Sequence, residues 1–204
     1  MTGDSFSHYF TARRPNERRA ERTLFVRLCG LELRLRTAAG VFSRHRVDRG
    51  TELILEAVQV RPDERTLDLG CGYGVMGIVA ARLAPQGWAV LSDINPLAVA
   101  LARENIALNS ADNAWALVAD GLEPFADEAF SLILCNPPVR AGWRVVFPMI
   151  DGAPRVLRPG GRAFFVARTR QGAPTLQKRL AAAFGNAEIV NRGSGYKVIR
   201  AVKE

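Results

Sequence analysis

Two short segments of the chain combine residue types that can bind a ligand and position it. The first, residues 66–77, reads TLDLGCGYGVMG and places four glycines after a short apolar run. Because glycine has no Cβ, the backbone can turn sharply there and a ligand can approach its N–H groups at the start of the following helix. The second segment is Asn136-Pro137-Pro138. Together they predict a cofactor site beside a turn that can hold a planar amine.

The glycine segment has more than one interpretation. Gly72-x-Gly74-x-x-Gly77 matches the dinucleotide-binding fingerprint, and Asp93 follows where an acid that binds ribose is expected. Asp68 favours a different ligand, because a carboxylate at the strand end repels a pyrophosphate but attracts the ammonium and sulfonium of S-adenosylmethionine. The sequence therefore favours a methyl-transferring enzyme over a nicotinamide-dependent one. A tight turn that binds nothing is the third interpretation.

The Asn-Pro-Pro segment predicts the catalytic groups. An amino nitrogen on a purine ring is a poor nucleophile until its hydrogens are held out of the plane. The side-chain carbonyl of Asn136 and the backbone carbonyl of Pro137 can accept those two hydrogens and aim the lone pair at a methyl group. Prolines fix φ and remove competing donors, so both carbonyls stay in place. A purely structural proline-rich turn is the alternative.

The pattern of apolar residues predicts an α/β fold. Alternation on either side of Gly30 predicts a β-hairpin over 23–29 and 31–37, and further along the chain strands and helices alternate. Strands are predicted over 65–69, 87–93, 114–119, 130–135, 161–167, 186–191 and 196–202. Helices are predicted from 48–51 to 58 and over 75–83, 96–108, 143–157 and 175–184. This order predicts a doubly wound, mainly parallel seven-stranded sheet whose last strand is antiparallel.

Four polar side chains lie at the ends of successive predicted strands: Asp68, Asp93, Asp120 and Asn136. The carboxyl ends of parallel strands meet at one edge of a sheet, which is where doubly wound folds bind their ligands. We therefore expect these four side chains to converge.

Composition favours a single domain that interacts with an anionic partner. The 204 residues carry a net charge of +8, and all but three of the 28 basic residues are arginine. This balance favours nucleic acid, although a surface biased by base composition is the alternative. An N-terminal segment over 1–22 is arginine-dense, and we expect it to be mobile unless RNA or the body of the protein orders it. Residues 1–50 are predicted to form this arm and the hairpin, and residues 51–204 the catalytic domain.

The cysteines and the hydropathy pattern predict a cytoplasmic protein. Cys29, Cys71 and Cys135 lack the spacing of paired metal ligands, and their odd number argues against a disulfide framework. We expect free thiols and no bound metal. No apolar run has the length of a membrane span, and the N-terminus lacks a signal-peptide core. A monomer is favoured.

Several segments together resemble the class I S-adenosylmethionine-dependent methyltransferases, which have a Rossmann-like fold. The resemblance is closest to the small-domain family of small ribosomal subunit RNA (guanine-N2) methyltransferases. The segments are Gly40-Val-Phe-Ser43, Val47-Asp-Arg-Gly-Thr51, Asp68-Leu-Gly-Cys-Gly-Tyr-Gly74, Ser92-Asp-Ile-Asn95, Asn136-Pro-Pro138 with Gly142, and Leu157-Arg-Pro-Gly-Gly161. The glycine turn specifies only the cofactor, whereas the combination with Gly-Val-Phe-Ser and Asn-Pro-Pro is more restrictive.

The resemblance implies a role for each site residue. Asp68 and the turn after it would hold the methionine part of S-adenosylmethionine, Asp93 the ribose hydroxyls and Asp120 the adenine amine. Ile94 would lie against the adenine ring, and Thr51 would belong to a segment that closes over the cofactor. The predicted cofactor-binding set is Thr51, Asp68, Gly70, Cys71, Gly72, Asp93, Ile94, Asp120, Gly121 and Asn136.

The chain departs from the family pattern directly after Asn-Pro-Pro. Relatives usually carry an aromatic residue and often a histidine there, whereas this chain has Val139 and Arg140. An aromatic ring would stack on the target base, while valine offers only an apolar wall. Arg140 could stack its guanidinium or bind phosphate, and Phe42 could supply a ring from the other side. Phe42, Pro138, Val139 and Arg140 are the predicted substrate contacts.

The resemblance implies a function in RNA modification, with alternatives. The favoured hypothesis is an N-methyltransferase of an RNA base, with guanine N2 of ribosomal RNA as its target. A methyltransferase of a protein glutamine or a small-molecule amine is the second, because the same turn can hold any planar amide or amine. A domain that binds the cofactor or RNA without turnover is the third.

Overall fold

The computed structural model of the chain describes residues 21–204, which form a two-stranded hairpin and a seven-stranded sheet. The strands are β1 (Arg22–Leu28), β2 (Leu31–Thr37), β3 (Arg65–Leu69), β4 (Trp88–Asp93), β5 (Ala114–Val118), β6 (Phe130–Cys135), β7 (Leu157–Arg168), β8 (Glu188–Gly193) and β9 (Tyr196–Val202). The helices are α1 (Arg49–Ala57), α2 (Val75–Leu83), α3 (Pro96–Leu108), α4 (Trp143–Asp151), α5 (Ala153–Val156) and α6 (Ala173–Phe184). Most of the arginine-dense arm precedes residue 21 and so lies outside the described residues.

The large sheet confirms the predicted fold class. Its strand order is β5-β4-β3-β6-β7-β9-β8, and β9 runs antiparallel to both of its neighbours. The order reverses between β3 and β6, so the carboxyl ends of β3, β4, β5 and β6 lie at one edge beside the point of reversal. This is where a doubly wound sheet opens a crevice for ligands.

Alternate residues of the strands pack against opposite layers of helices. In β6, Leu132 and Leu134 belong to the apolar cluster that holds the hairpin, α1, α2 and α3. Ile133 and Cys135 belong to the cluster on the other face, with α4, α5 and α6. Burial on both faces explains why β6 is apolar at every position except Ser131.

Two buried asparagines fasten the hairpin to the domain. Asn105 lies in α3, and Asn109 directly follows it. The side chain of Asn105 accepts from the Arg36 N–H (2.6 Å) and donates to the Arg36 carbonyl (2.9 Å). Asn109 makes the same pair of bonds with Arg34, at 2.9 and 2.8 Å. Asn105 also donates to the Tyr73 carbonyl at 2.8 Å, which ties the hairpin to the glycine turn. The predicted division of the chain at residue 50 stays a prediction.

One predicted helix is wrong in its extent. The segment 143–157 forms two helices, α4 and α5, separated at Gly152. Pro154 lacks the N–H that would continue the helix, and its ring would clash with the carbonyl of the preceding turn. Helix α4 therefore ends before Pro154. The next strand also begins earlier than predicted, at Leu157, because Leu157 pairs with Phe130 of β6; Gly160 and Gly161 then exchange backbone hydrogen bonds with Lys203.

Among residues 21–204, no helix combines the length and apolar character needed to cross a bilayer.

Candidate active site

The glycine turn between β3 and α2 is fixed to the neighbouring strand. The N–H groups of Gly70 and Cys71 both donate to the Ser92 carbonyl at 2.9 Å. Gly70 and Gly72 have φ values of +73° and +55°. A Cβ added to Gly72 would meet no atom within 4 Å, so the backbone borders open space there. Such a turn can receive a ligand directly against its N–H groups.

Asp68, one residue before the end of β3, is a fully buried carboxylate with one unused oxygen. Its Oδ2 accepts from the Gly77 N–H at 2.7 Å, while Oδ1 has no partner among the described residues. The pKa of this carboxyl is raised to about 7, chiefly by burial; the Gly77 bond opposes the rise and the nearby Asp93 charge adds to it. A buried acceptor without a partner is costly, and a cationic group placed at Oδ1 would satisfy it.

Asp93 joins the glycine turn to the end of β4. Its Oδ2 accepts from the Gly72 N–H and its Oδ1 from the Asn95 N–H, each at 2.9 Å. Burial raises the pKa of the Asp93 carboxyl, and these backbone donors oppose the rise. Each oxygen retains a second lone pair, so the carboxylate can still accept hydrogen bonds from the two hydroxyls of a ribose.

The remaining predicted cofactor residues continue along the same edge. The Ala119 N–H donates to the Asp93 carbonyl at 3.1 Å, which keeps the residues after β5 beside the end of β4. Asp120 is exposed, and Gly121 has a φ of +60° with open space where a Cβ would stand. Ile94 is 41% exposed, an apolar surface beside these polar groups. Their assignment to the adenosine part of the cofactor stays a prediction.

Asn136 is oriented by two residues far away in sequence. Its Nδ2 donates to Asp48 Oδ2 at 3.0 Å and to Thr51 Oγ1 at 3.2 Å. A carboxylate can only accept, so the amide must present its nitrogen to Asp48. The side-chain carbonyl of Asn136 is then the group that remains available to accept a hydrogen bond from a ligand. Thr51, predicted as a cofactor residue, contacts the predicted catalytic residue, and its own contact with the cofactor stays a prediction.

Asp48 and Tyr196 are site residues that the sequence interpretation did not identify. Asp48 begins α1 by accepting from the Gly50 N–H at 2.8 Å, and it accepts from Tyr196 Oη at 3.4 Å. The Arg168 guanidinium lies 4.6 Å from the centre of the Tyr196 ring. Asp48 lies in the Val47–Thr51 segment that carried part of the family resemblance, and this was the available signal. For Tyr196 the sequence offers no such signal.

The two prolines hold the backbone in a tight turn. The Pro137 carbonyl accepts from the Val139 N–H at 2.8 Å, and Pro138 has φ −76° and ψ 67°, which is an inverse γ-turn. The Pro138 carbonyl accepts from the Ala141 N–H at 2.8 Å and begins a single 3₁₀ turn over Val139–Ala141. One lone pair of the Pro137 carbonyl is thus used internally and the other remains for a ligand.

The predicted substrate contacts differ in their surroundings. Pro138 and Arg140 are exposed, whereas Val139 is half-buried and lies 3.3 Å from the position that a Cβ on Gly172 would take. Phe42 is 65% exposed. Its loop is fastened beside the glycine turn, where Tyr73 Oη donates to the Ser43 carbonyl at 3.4 Å. Contact of these residues with a substrate stays a prediction.

The chain is similar to known proteins in sequence and in fold. The chain is 31% identical over 200 residues to the uncharacterized protein YbxB of Bacillus subtilis, covering 97% of this chain and 99% of that one. It is 37% identical over 175 residues to the ribosomal RNA large subunit methyltransferase G of Streptomyces avermitilis, covering 81% of this chain and 44% of that one.

A solved structure of a T. thermophilus 16S rRNA N2 methyltransferase, in complex with AdoMet and guanosine, matches with a TM-score of 0.81 and 30% identity. The match covers 90% of this chain and 51% of that one, so the chain spans about half the length of the two named methyltransferases. Residues 32–200 match the family model described as the methyltransferase small domain. The chain therefore belongs to the methyltransferase small domain family, which confirms the predicted methyltransferase.

Proposed function

We propose that this protein transfers a methyl group from S-adenosylmethionine to the exocyclic N2 of a guanine in ribosomal RNA. The observation that carries the proposal is the Asn136 side chain, held by Asp48 and Thr51 so that its carbonyl oxygen remains for a ligand. The similar T. thermophilus enzyme, solved with AdoMet and guanosine, supports the same choice of cofactor and base.

The cofactor is S-adenosylmethionine, and the residues of the glycine turn fit it. The cofactor supplies a methyl group bonded to a sulfonium sulfur. The neutral thioether that remains after methyl transfer is a good leaving group. The unpartnered Oδ1 of Asp68 suits its ammonium, and the open space at Gly72 lets the ligand approach the turn. Asp93 keeps two lone pairs for the ribose hydroxyls. Asp68, the open space at Gly72 and Asp93 would each contact a different part of one elongated ligand.

Catalysis in this proposal is a matter of position. The Asn136 carbonyl and the free lone pair of the Pro137 carbonyl accept the two hydrogens of the amine, which turns its lone pair toward the methyl group. Asp48 and Thr51 prevent the Asn136 amide from rotating. The chain needs no strong base, because the proton can leave the amine after the transfer.

The substrate must bring an unpaired base to this turn. A base inside a helix cannot reach Asn136, so the target lies in a loop or is extruded from a stem. Arg140 is exposed beside the turn and can contact a phosphate or stack on the base. The net charge of +8 favours a polyanionic substrate over a neutral amide.

The test is transfer of labelled methyl from S-adenosylmethionine to undermodified ribosomal RNA and, in parallel, to total protein. We expect label in RNA, as N2-methylguanosine after digestion to nucleosides, and no label with Asn136→Ala. Asn191→Ala is the matched control, because it removes an amide whose nitrogen donates to the Leu53 carbonyl outside the site. Label only in protein would replace this proposal with the glutamine or amine alternative. Cofactor binding without any transfer would favour a non-catalytic binding domain.

A further inference from the structure

The hairpin presents a solvent-facing surface that the methyl-transfer site does not use. Residues whose side chains alternate with the buried ones form this outer face: Thr23, Phe25, Arg27, Glu32, Arg34 and Arg36. The inner face, with Leu33 and Leu35, belongs to the apolar core. Phe25 stands on the outer face with 78% of its side chain exposed, more than any other large hydrophobic residue in the described part of the chain. An exposed aromatic ring offers a surface on which a planar ligand can stack.

The charges around Phe25 favour an anionic partner. Phe25 is paired in register with Arg34, and Arg27 lies two residues further along β1 on the same face. Neither Arg27 nor Arg34 forms an ion pair within residues 21–204, whereas Arg36 pairs with Glu104. Glu32, opposite Arg27, is the one acid of the outer face. A ring flanked by unpaired guanidinium groups suits a nucleobase with its phosphates.

The backbone of β2 argues against a peptide that would extend the hairpin along this strand. A peptide that extends the hairpin would need the free N–H and C=O groups at the outer edge of β2. Those of Arg34 and Arg36 are already bonded to the side chains of Asn109 and Asn105. These same bonds hold the face rigid, so a ligand would bind side chains on a preformed surface.

The outer face leads toward the methyl-transfer site. A strand rises about 3.3 Å per residue, so Arg34 lies about 10 Å from the end of β2 at Thr37. The loop after Thr37 is fastened beside the glycine turn through Gly40, whose carbonyl accepts from Asn95 Nδ2 at 3.2 Å, and through Tyr73. An RNA strand that reaches the site can therefore pass over the hairpin.

We propose that the outer face of the hairpin is a second RNA-binding surface, on which an unpaired base stacks on Phe25 while Arg27 and Arg34 contact neighbouring phosphates. This inference rests on the proposed function for the identity of the polyanion. It assigns to the hairpin a contact distinct from the base held at Asn136.

The test is direct binding of a labelled single-stranded fragment of ribosomal RNA, measured by fluorescence anisotropy without methyl transfer. We expect Phe25→Ala to raise the Kd on the order of 10-fold, in the range seen when a stacking ring is removed. Phe25→Tyr should restore binding, because it keeps the ring. Trp115→Ala is the matched control, since Trp115 is another exposed aromatic residue, on β5. Arg34→Gln should lower the slope of log Kd against log salt by about 0.7.

The possible outcomes distinguish a failure of this proposal from a failure of the proposed function. An unchanged Kd in Phe25→Ala, or no RNA binding by the wild-type protein, would overturn it. A wild-type dimer that Phe25→Ala dissociates without any change in RNA affinity would assign the face to a second copy of the chain. Phe25-dependent RNA binding without methyl transfer to RNA would refute the proposed function and leave this inference standing.

Discussion

Asp48 serves both the fold and the proposed chemistry. One carboxylate oxygen accepts from the Gly50 N–H and from Asn136 Nδ2, so the start of α1 and the orientation of the Asn136 amide depend on the same atom. Without that acceptor the amide is held only by Thr51. We expect Asp48→Ala to lower kcat about 100-fold, because small displacements of a positioning group are costly. Steady-state kinetics at saturating cofactor measures this effect.

A control variant separates the effect on the orientation of the Asn136 amide from the effect on the stability of the protein. Asp48→Ala also removes a helix cap, which costs about 1 kcal/mol. Asp48→Asn keeps an oxygen that can accept from both partners, so it should retain the cap and most of the activity. A wild-type kcat in Asp48→Ala would show that Asn136 does not depend on Asp48 for its orientation.

Asp68 makes the stability of the free protein depend on pH. Its pKa is raised from 3.8 to about 7 by burial, so between these values the folded protein binds a proton that the unfolded chain has released. The stabilisation is complete below pH 4 and is lost as the pH rises toward 7. We expect Asp68→Asn to remove this dependence. Urea unfolding of the cofactor-free protein at pH 5 and pH 8 measures it.

Cofactor binding should show the opposite dependence on pH. The ammonium of the cofactor favours the ionised form of Asp68, so the affinity for S-adenosylmethionine should increase as the pH rises through about 7. Calorimetric titration of the wild type and of Asp68→Asn with S-adenosylmethionine, at pH values on either side of 7, compares the pH dependence of their affinities. An equal pH dependence in both proteins would mean that Asp68 does not bind the cation.

The sequence indicates a site residue only where that residue belongs to a local pattern, such as the end of an apolar strand. Asp68, Asp93 and Asn136 each lie at the end of an apolar strand, and the parallel sheet brings the strand ends together as expected. The contact between Asn136 and Asp48 joins residues 88 positions apart. It depends on where α1 packs against the sheet, which no local periodicity encodes. Asp48 was therefore visible as the start of a helix and not as a partner of Asn136.

Two glycines of the turn should respond differently to the same substitution. A Cβ on Gly77 would lie 2.4 Å from Cγ of the buried Leu91, whereas a Cβ on Gly72 would enter open space. We expect Gly77→Ala to reduce the free energy of unfolding by about 1–3 kcal/mol through overpacking. Gly72→Ala should cost about 1 kcal/mol for its left-handed φ, with a larger relative loss of cofactor affinity.

Urea unfolding and cofactor titration of both variants test this difference. Wild-type cofactor affinity in Gly72→Ala would mean that the open space beside the turn does not receive the cofactor. Wild-type stability in Gly77→Ala would mean that Leu91 can move away without loss.

The elements of the chain were predictable where periodicity and caps agreed. The start of α3 followed from Asn95-Pro96, and Asn95 indeed caps it by accepting from the Leu97 N–H at 3.0 Å. The helix expected over 143–157 failed because apolar spacing continues through Gly152 while the backbone cannot continue at Pro154. At Pro154 the missing N–H outweighs the apolar pattern, whereas α4 continues through Pro148.

The hairpin and the domain behave as one body because buried amides join them. Asn105 connects β2, α3 and the glycine turn through three bonds made by one side chain. The pattern of the sequence predicted the hairpin itself, but the asparagines appear in it only as polar interruptions of a helix. A surface for RNA on the hairpin can thus be coupled rigidly to the cofactor turn.

The excess of basic residues over the whole chain predicts a marked salt dependence. With 28 basic and 20 acidic residues, binding to RNA should release counterions. For about four phosphate contacts on a single strand, affinity should fall about 50-fold between 50 and 200 mM salt. Cofactor affinity should change far less, because its contacts lie at buried groups such as Asp68 and are screened weakly. Anisotropy for RNA and calorimetry for the cofactor, across the same salt series, compare the two. RNA affinity that is as insensitive to salt as cofactor affinity would contradict an electrostatic role for the basic surface and would favour a neutral amide substrate.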